Sequence, residues 1–307
     1  MEKRRIGSLE VSSVGLGCNN FGRRLDADAT ASVVHAALGS GVNFFDTADV
    51  YGGTKSEEFL GRALGARRDE VILASKFGHR VDDQRRGARP EYIAQAVEDS
   101  LRRLGTDRID LYQLHTPDAA TPIADTLGAL DTLVTAGKVR EVGCSNFSVA
   151  QLREAEAAVK SGAARFVSVQ NEYSLLDRTP ETDGVLAETE RKEIAVLPYF
   201  PLANGLLTGK YRRGQPLPEG TRIGADHKDL TPQNLDTVEA LIAFAESRGH
   251  TILELAFSWL LAHPSVASVI AGATRPEQIQ ANAAAASWHL APADLAEIET
   301  ILTLGSA

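Results

Sequence analysis

Short apolar runs alternate with amphipathic stretches along this chain. The runs occupy 12–18, 42–48, 70–78, 108–115, 139–147, 165–173, 194–202 and 265–273. Most are rich in Val, Ile and Phe and almost continuously apolar at their centres, the pattern of strands buried on both faces. The stretches between them carry a helical period. In 89–105, Ile93, Val97, Ser100, Leu101 and Leu104 share one face, with Pro90 at the start and Gly105 at the exit. In 122–138, Leu127, Leu130 and Val134 do the same, and Gly137 falls where a left-handed cap belongs. Segments 148–162 and 275–286 repeat the pattern.

Eight strand–helix beats, mostly about 30 residues apart, predict parallel strands joined by right-handed crossovers. Eight such strands close into a barrel with a filled interior. The predicted class is therefore α/β, a (β/α)8 TIM barrel that makes one domain of residues 1–307. An open doubly wound sheet is the rival arrangement. The beat breaks once, where roughly 60 residues separate the seventh and eighth strands. That interval holds a Gly/Pro-rich loop and two helical patterns, 233–247 and 251–262, read as an insertion in the barrel. Residues 4–13 predict a hairpin with Gly7 and Ser8 at its turn, capping the barrel bottom.

Composition works by exclusion. The 307 residues, 43% hydrophobic, bury enough surface to fold without staples. A balance of 32 basic against 41 acidic residues gives −9, which argues against nucleic-acid binding. Two cysteines, Cys18 and Cys144, are too few for a secreted disulfide framework. They end opposite walls of the predicted barrel and read as buried packing. No apolar run reaches the ~18 residues of a membrane helix, and the N-terminus has no apolar signal segment. A cytoplasmic protein without a membrane partner is expected; its oligomeric state is left open.

In such a barrel the chemistry sits at the C-terminal ends of the strands. The polar residues there are Cys18, Asn19 and Asn20; Asp46, followed by Tyr51; Lys76; His115; Ser145 and Asn146; Gln170 and Asn171; Tyr199; and Thr274 and Arg275. Asp46, Tyr51, Lys76 and His115 make sense as a unit. A tyrosine, with a reference pKa near ~10, is a poor acid, and a neighbouring ammonium is expected to lower that value. A carboxylate beyond the lysine offsets the cost of burying its charge. A histidine opposite can orient a substrate oxygen and share proton traffic. That set aims a proton donor at a carbonyl oxygen; hydride delivery is beyond any side chain and requires a nicotinamide cofactor. Singly, each residue has a plainer explanation: a structural charge at a strand end, a satisfied buried histidine, a loop-packing tyrosine. Their joint placement on three consecutive strands and one loop carries the reading. No G-x-G-x-x-G, P-loop or G-x-S-x-G stands in context, and no HExxH or CxxC suggests a metal.

The stretches GLGCNNFG, FFDTADVYGGTKSEEFLGRAL, ASKFG, LYQLHTPD, VREVGCSNFS, VQNEYSLL, YFPLANGLLTGKY and GATRPEQIQAN resemble the aldo-keto reductase superfamily nearly end to end. The resemblance implies a (β/α)8 barrel that binds NADP(H) without a Rossmann domain and reduces aldehydes or ketones to alcohols. Its catalytic tetrad falls on Asp46, Tyr51, Lys76 and His115. It also implies that Asp46 is among the cofactor-binding residues, that Ser145, Asn146 and Gln170 hydrogen-bond the nicotinamide carboxamide and that Tyr199 stacks on the ring. Pro201, Leu202 and Lys210 match the loop over the pyrophosphate, and the inserted segment 210–228 is expected to close there. Thr274, Gln278 and Asn282 match the adenosine end. Many members have Lys at Gly272 and Arg at Gln278, gripping the 2′-phosphate. Here Arg275 is the remaining basic candidate in that motif, helped by Arg212 or Arg222. NADP(H) is favoured on that ground, with NAD(H) as the alternative. Aromatic positions of the family's apolar pockets hold Asn19, Thr116 and His79, which implies small, hydroxylated or sugar-like carbonyl substrates. The rival function is a nicotinamide-binding redox sensor or scaffold with little turnover, as in the related potassium-channel β subunits.

Overall fold

The computed structural model describes residues 1–218, 223–224 and 226–305. A hairpin opens the chain, β1 (Lys3–Ile6) pairing antiparallel with β2 (Leu9–Ser12) in the register Ile6↔Leu9. Gly7 and Ser8 make its turn, as predicted. Eight parallel strands follow: β3 (Val14–Gly17), β4 (Phe44–Asp46), β5 (Ile72–Phe77), β6 (Ile109–Leu114), β7 (Val139–Ser145), β8 (Phe166–Gln170), β9 (Ala195–Val196) and β10 (Val269–Gly272). Their order is β10-β3-β4-β5-β6-β7-β8-β9. The seam between β9 and β10 closes through Val196 N–H to Ser265 O at 2.7 Å, Ala267 N–H to Val196 O at 3.0 Å and Ile270 N–H to Pro198 O at 3.2 Å. The sheet is a barrel, not an open doubly wound sheet.

Helices α1 (Ala27–Gly39), α2 (Lys55–Leu64), α3 (Pro90–Leu104), α4 (Ile123–Thr135), α5 (Val149–Ala158), α6 (Thr179–Thr182) and α7 (Val185–Lys192) connect successive strands. The inserted pair, α8 (Pro232–Glu246) and α9 (Ile252–Leu261), precedes β10, and α10 (Pro276–Ala285) and α11 (Pro292–Gly305) end the chain. The predicted face of α3 is buried at every position. On α4 the buried stripe is Leu127, Leu130 and Leu133, with Val134 at its edge. Every predicted run holds a strand, but the strands are shorter. The run 194–202 keeps only two strand residues: Pro198 has no N–H to donate, and Phe200 takes a φ of +51°.

Alternation along the strands divides the core in two. One set of side chains faces outward against the helices, including Leu16, Phe45, Leu73, Tyr112 and Val142. The other fills the barrel: Phe44, Ala74, Leu111, Leu197 and Ile270, packed with Ile6, Leu9 and Val11 of the hairpin. The hairpin is thus the floor. Continued by twos, the inward rows reach Asp46 on β4, Lys76 on β5, Gln113 and His115 along β6, and Ser145 on β7. The barrel is narrow enough that a Cβ on Gly143 would lie 2.3 Å from Ser168 Oγ. If the hairpin seals this interior, Leu9→Ala leaves a cavity there. Urea unfolding should show a loss of about 2–5 kcal/mol; a loss below about 0.5 kcal/mol would detach the hairpin from the core.

Candidate active site

The Lys76 side chain is completely buried. Its ammonium donates to Asp46 Oδ2 at 2.5 Å, to the Thr47 carbonyl at 2.9 Å and to Tyr51 OH at 3.3 Å. The second oxygen of Asp46 accepts from Gln113 Nε2 at 3.1 Å and from Gln170 Nε2 at 3.0 Å. Burial alone would depress the lysine pKa, but the charge of Asp46 and the contact with Tyr51 outweigh it, so the net shift is upward and the ammonium persists.

Tyr51 follows β4 on a turn that two short contacts fix. Ser56 Oγ, 2.8 Å from Thr47 Oγ1, donates to the Cys18 carbonyl at 2.9 Å. Gly52 has φ +59°, and a Cβ there would sit 2.3 Å from Phe21 O. Lys76 acts on the tyrosine in the expected direction, but the expectation of a net lowered pKa needs correction. Burial raises it, Lys76 opposes that rise without cancelling it, and the net shift is upward. Tyr51 is a phenol that keeps its proton.

His115 stands opposite, its ring 5.7 Å from that of Tyr51 and nearly perpendicular at 79°. Burial, then the charges of Lys76 and His79, push its pKa down to about 2. The His79 ring lies 4.1 Å away. The imidazole is therefore neutral, and the proton traffic foreseen for it is limited to hydrogen bonding. Its Nδ1 and Asn19 Oδ1 are buried without a hydrogen-bond partner among the described residues.

Asp46, Tyr51 and His115 line a cavity of about 1160 Å³, with Lys76 behind its wall. Ligand pockets run to roughly 300–1,000 Å³, so this one has room for more than one small molecule. Ser145, Asn146, Gln170, Tyr199, Pro201, Leu202, Lys210, Thr274, Gln278 and Asn282 line the same cavity. Tyr199 OH donates to Asn146 Oδ1 at 2.8 Å, and Asn146 Nδ2 to the His115 carbonyl at 3.0 Å. Ser145 Oγ donates to the Gln170 carbonyl at 2.6 Å. These bonds link the residues expected to hold a cofactor to one another and to His115. Gln278 Oε1 accepts from Thr274 N–H at 2.7 Å and Oγ1 at 3.0 Å, so that oxygen is engaged within the chain. Arg275 is exposed at the start of α10, next to the cavity but outside its lining. Arg212 is held by Glu239 at 2.8 and 2.7 Å and is also not brought to the cavity. Arg222 lies outside the described residues. Among the described residues no group of His, Cys, Asp or Glu could hold a metal, and no helix is long and apolar enough to cross a membrane.

Sequence reasoning missed Gln113, although its place two residues before His115 puts it on the same inward row. It also missed a buried cluster behind Lys76. Glu57 accepts from Ser75 Oγ at 2.5 Å and from Arg103 Nε at 2.7 Å. Asp49 accepts from Tyr92 OH at 3.2 Å, and its other oxygen has no partner among the described residues. Burial, then the charge of Glu57, raises the Asp49 pKa to about 7. An unfolded aspartate titrates near ~3.9. Between those values the native state holds a proton that the unfolded chain has released, so this group lowers stability as pH rises toward 7, with the full penalty above it. Asp49→Asn should therefore raise the melting temperature at pH 8 and lose that advantage toward pH 4. Equal gains at both pH values would overturn the assignment.

The Aldo/keto reductase family profile matches residues 13–303. The aldo-keto reductase YhdN of Bacillus subtilis is 35% identical over 96% of this chain and 91% of its own. A probable voltage-gated potassium channel subunit beta of Arabidopsis thaliana is 32% identical over 98% and 97%. Among solved structures, the glycerol dehydrogenase of Gluconobacter oxydans superposes with a TM-score of 0.86 at 32% identity, covering 99% of this chain and 95% of that one. With this tetrad geometry in a closed barrel, the chain belongs to the aldo/keto reductase family and is an NAD(P)H-dependent oxidoreductase acting on carbonyl compounds.

Proposed function

We propose that the protein reduces small, polar aldehydes or ketones, hydroxylated or sugar-like, with NADP(H), and that Tyr51 delivers the proton. The observation that carries this reading is the Tyr51 hydroxyl 3.3 Å from a buried ammonium, in the wall of the cavity that His115 shares. A reduced nicotinamide, when bound, supplies hydride to the carbonyl carbon. The protein does the rest. Ser145, Asn146 and Gln170 hold the carboxamide, with Asp46 fixing Gln170 from behind, and Tyr199 packs on the ring. Pro201, Leu202 and Lys210 cover the pyrophosphate; Thr274, Gln278 and Asn282 take the adenosine end. Neutral His115 donates a hydrogen bond to the substrate oxygen. As charge develops there, the Tyr51 proton moves onto it, and the phenolate left behind faces Lys76. A donor that holds its proton until that moment is what the upward pKa shift provides.

Polar substrates are supported by Asn19 and His79 in the cavity wall, and the Gluconobacter relative is named for a small hydroxylated alcohol. NADP(H) is supported by exposed Arg275 beside Thr274, with no ion pair among the described residues to occupy it. The plant relative's channel-subunit name favours a second reading, a nicotinamide-holding sensor or scaffold with little turnover.

Steady NADPH consumption with a panel of small hydroxyaldehydes separates the two readings. Cofactor binding without turnover across the panel would favour the sensor. Tyr51→Phe should lower kcat by about 10²–10⁴-fold while the NADPH Kd, read by fluorescence titration, moves less than about twofold; near-parental kcat removes Tyr51 from the proton step. Arg275→Ala should weaken NADPH about tenfold and leave NADH unchanged. Equal effects on both cofactors would take Arg275 off the 2′-phosphate.

A further inference from the structure

We infer that Arg23 and Arg24 form an anion subsite at the mouth of the catalytic cavity, and that the carbonyl substrate carries a phosphate group. The inference rests on the reductase reading above and names its substrate class.

The turn after β3 is rigid. The Asn20 carbonyl accepts from the N–H groups of Arg23, Arg24 and Leu25 at 3.2, 2.8 and 3.1 Å. Phe21 is fully buried beneath it. Gly22 reverses the chain with φ +71°, and a Cβ there would lie 2.6 Å from Lys55 Cβ and 3.3 Å from Gly52 O. That contact seats the turn against the loop carrying Tyr51. Asn20 Nδ2 ties its other side to the Ala273 carbonyl at 3.3 Å. A frame fixed at both edges presents its side chains with little ordering cost on binding.

Both arginines are exposed, and both line the cavity that holds Tyr51 and His115. Neither guanidinium has a hydrogen bond or ion pair among the described residues. Many other guanidinium groups are tied down, as in Arg68–Asp110, Arg103–Glu57 and Arg248–Asp294. The acid closest in sequence, Asp26, accepts from Ala29 N–H at 2.9 Å to cap α1. Two adjacent uncompensated cations at a cavity mouth, in a chain of net charge −9, make a local field for anions. Two guanidinium forks match the three oxygens of a phosphate monoester, where a carboxylate needs one.

Phosphate could reach these groups from the substrate or from the dinucleotide's pyrophosphate. The packing of the turn on the Tyr51 loop favours the substrate, and one experiment separates the sources. With saturating NADPH, kcat/KM is measured for glycolaldehyde and for glycolaldehyde phosphate in the parent, Arg23→Gln, Arg24→Gln and the double variant. The parent should favour the phosphate ester, less so as NaCl is raised. Each single change should cut the ratio of the two values about tenfold and the double change about a hundredfold. The NADPH Kd should stay within about twofold. An unchanged ratio overturns the proposal, and so does a weakened NADPH Kd with the ratio intact, which would put the arginines on the pyrophosphate. Calorimetry of glycolaldehyde phosphate against the NADP⁺-loaded protein reads the subsite without turnover, and binding that weakens in each single variant and is lost in the double variant supports it. If neither aldehyde is reduced, the proposed substrate class loses its support while this binding result still decides on the arginines.

Discussion

A charged amine with no exposed surface governs the upper half of this barrel. Removing an ammonium from water costs several kcal/mol, recovered only when its donors are well placed and its counter-ion is itself satisfied. Lys76 meets that condition with three acceptors for its three N–H bonds, all supplied by the strand β4 and the turn behind it. Asp46 meets it in turn through amides reaching in from β6 and β8. Four strands must therefore hold register to within a residue, because a slip of one would send Asp46, Lys76, Gln113 or Gln170 to the helix side. The apolar floor built from the hairpin and the inward rows supplies that rigidity.

The same burial fixes the protonation states around it. Tyr51 keeps its proton because desolvation outweighs the ammonium beside it, and His115 stays neutral because desolvation and that ammonium act together. One cation thus has opposite consequences for its neighbours. It opposes the rise that burial imposes on Tyr51, and it adds to the burial that keeps His115 neutral. A protonated phenol and a neutral imidazole then stand side by side without competing for one proton.

The periodicity of the chain made the barrel legible: each β-rich run and most helices fell where spacing placed them, since burial on two faces leaves a continuous apolar signature. Strand lengths were less legible. The run ending in Pro198 to Leu202 is apolar for the cavity's sake, not the sheet's. Asp46, Lys76 and His115 could be placed in or behind the cavity wall because each stands near the end of a run, and Tyr51 because it follows one closely. The placement of the chain's own Gln113 needed inward parity counted across β6, and Asp49 with Glu57 needed the packing of α2 and α3 behind β5, which no local pattern records. The sign of the Tyr51 shift was misjudged for a related reason. Sequence names the neighbouring charge but not the depth at which both groups sit. The engagement of Arg212 was hidden likewise, because closeness along the loop says nothing of its pairing with Glu239 on α8.

Stability and selectivity are therefore carried by different residues of one barrel. The inward rows are apolar from the floor to mid-height and polar above, so the chemistry is bolted to strands whose register the core enforces. The rim of the cavity, with Asn19, His79 and the turn of Arg23 and Arg24, hangs on loops anchored by backbone hydrogen bonds and one buried aromatic ring. Rim side chains can change without touching the ladder that holds Lys76. A substitution on the inward rows has no such freedom, since Asp46 and Lys76 are each satisfied only by the other and by their shared surroundings. That asymmetry is why substrate preference in this protein is to be sought at the mouth, and the acid–base chemistry in the wall.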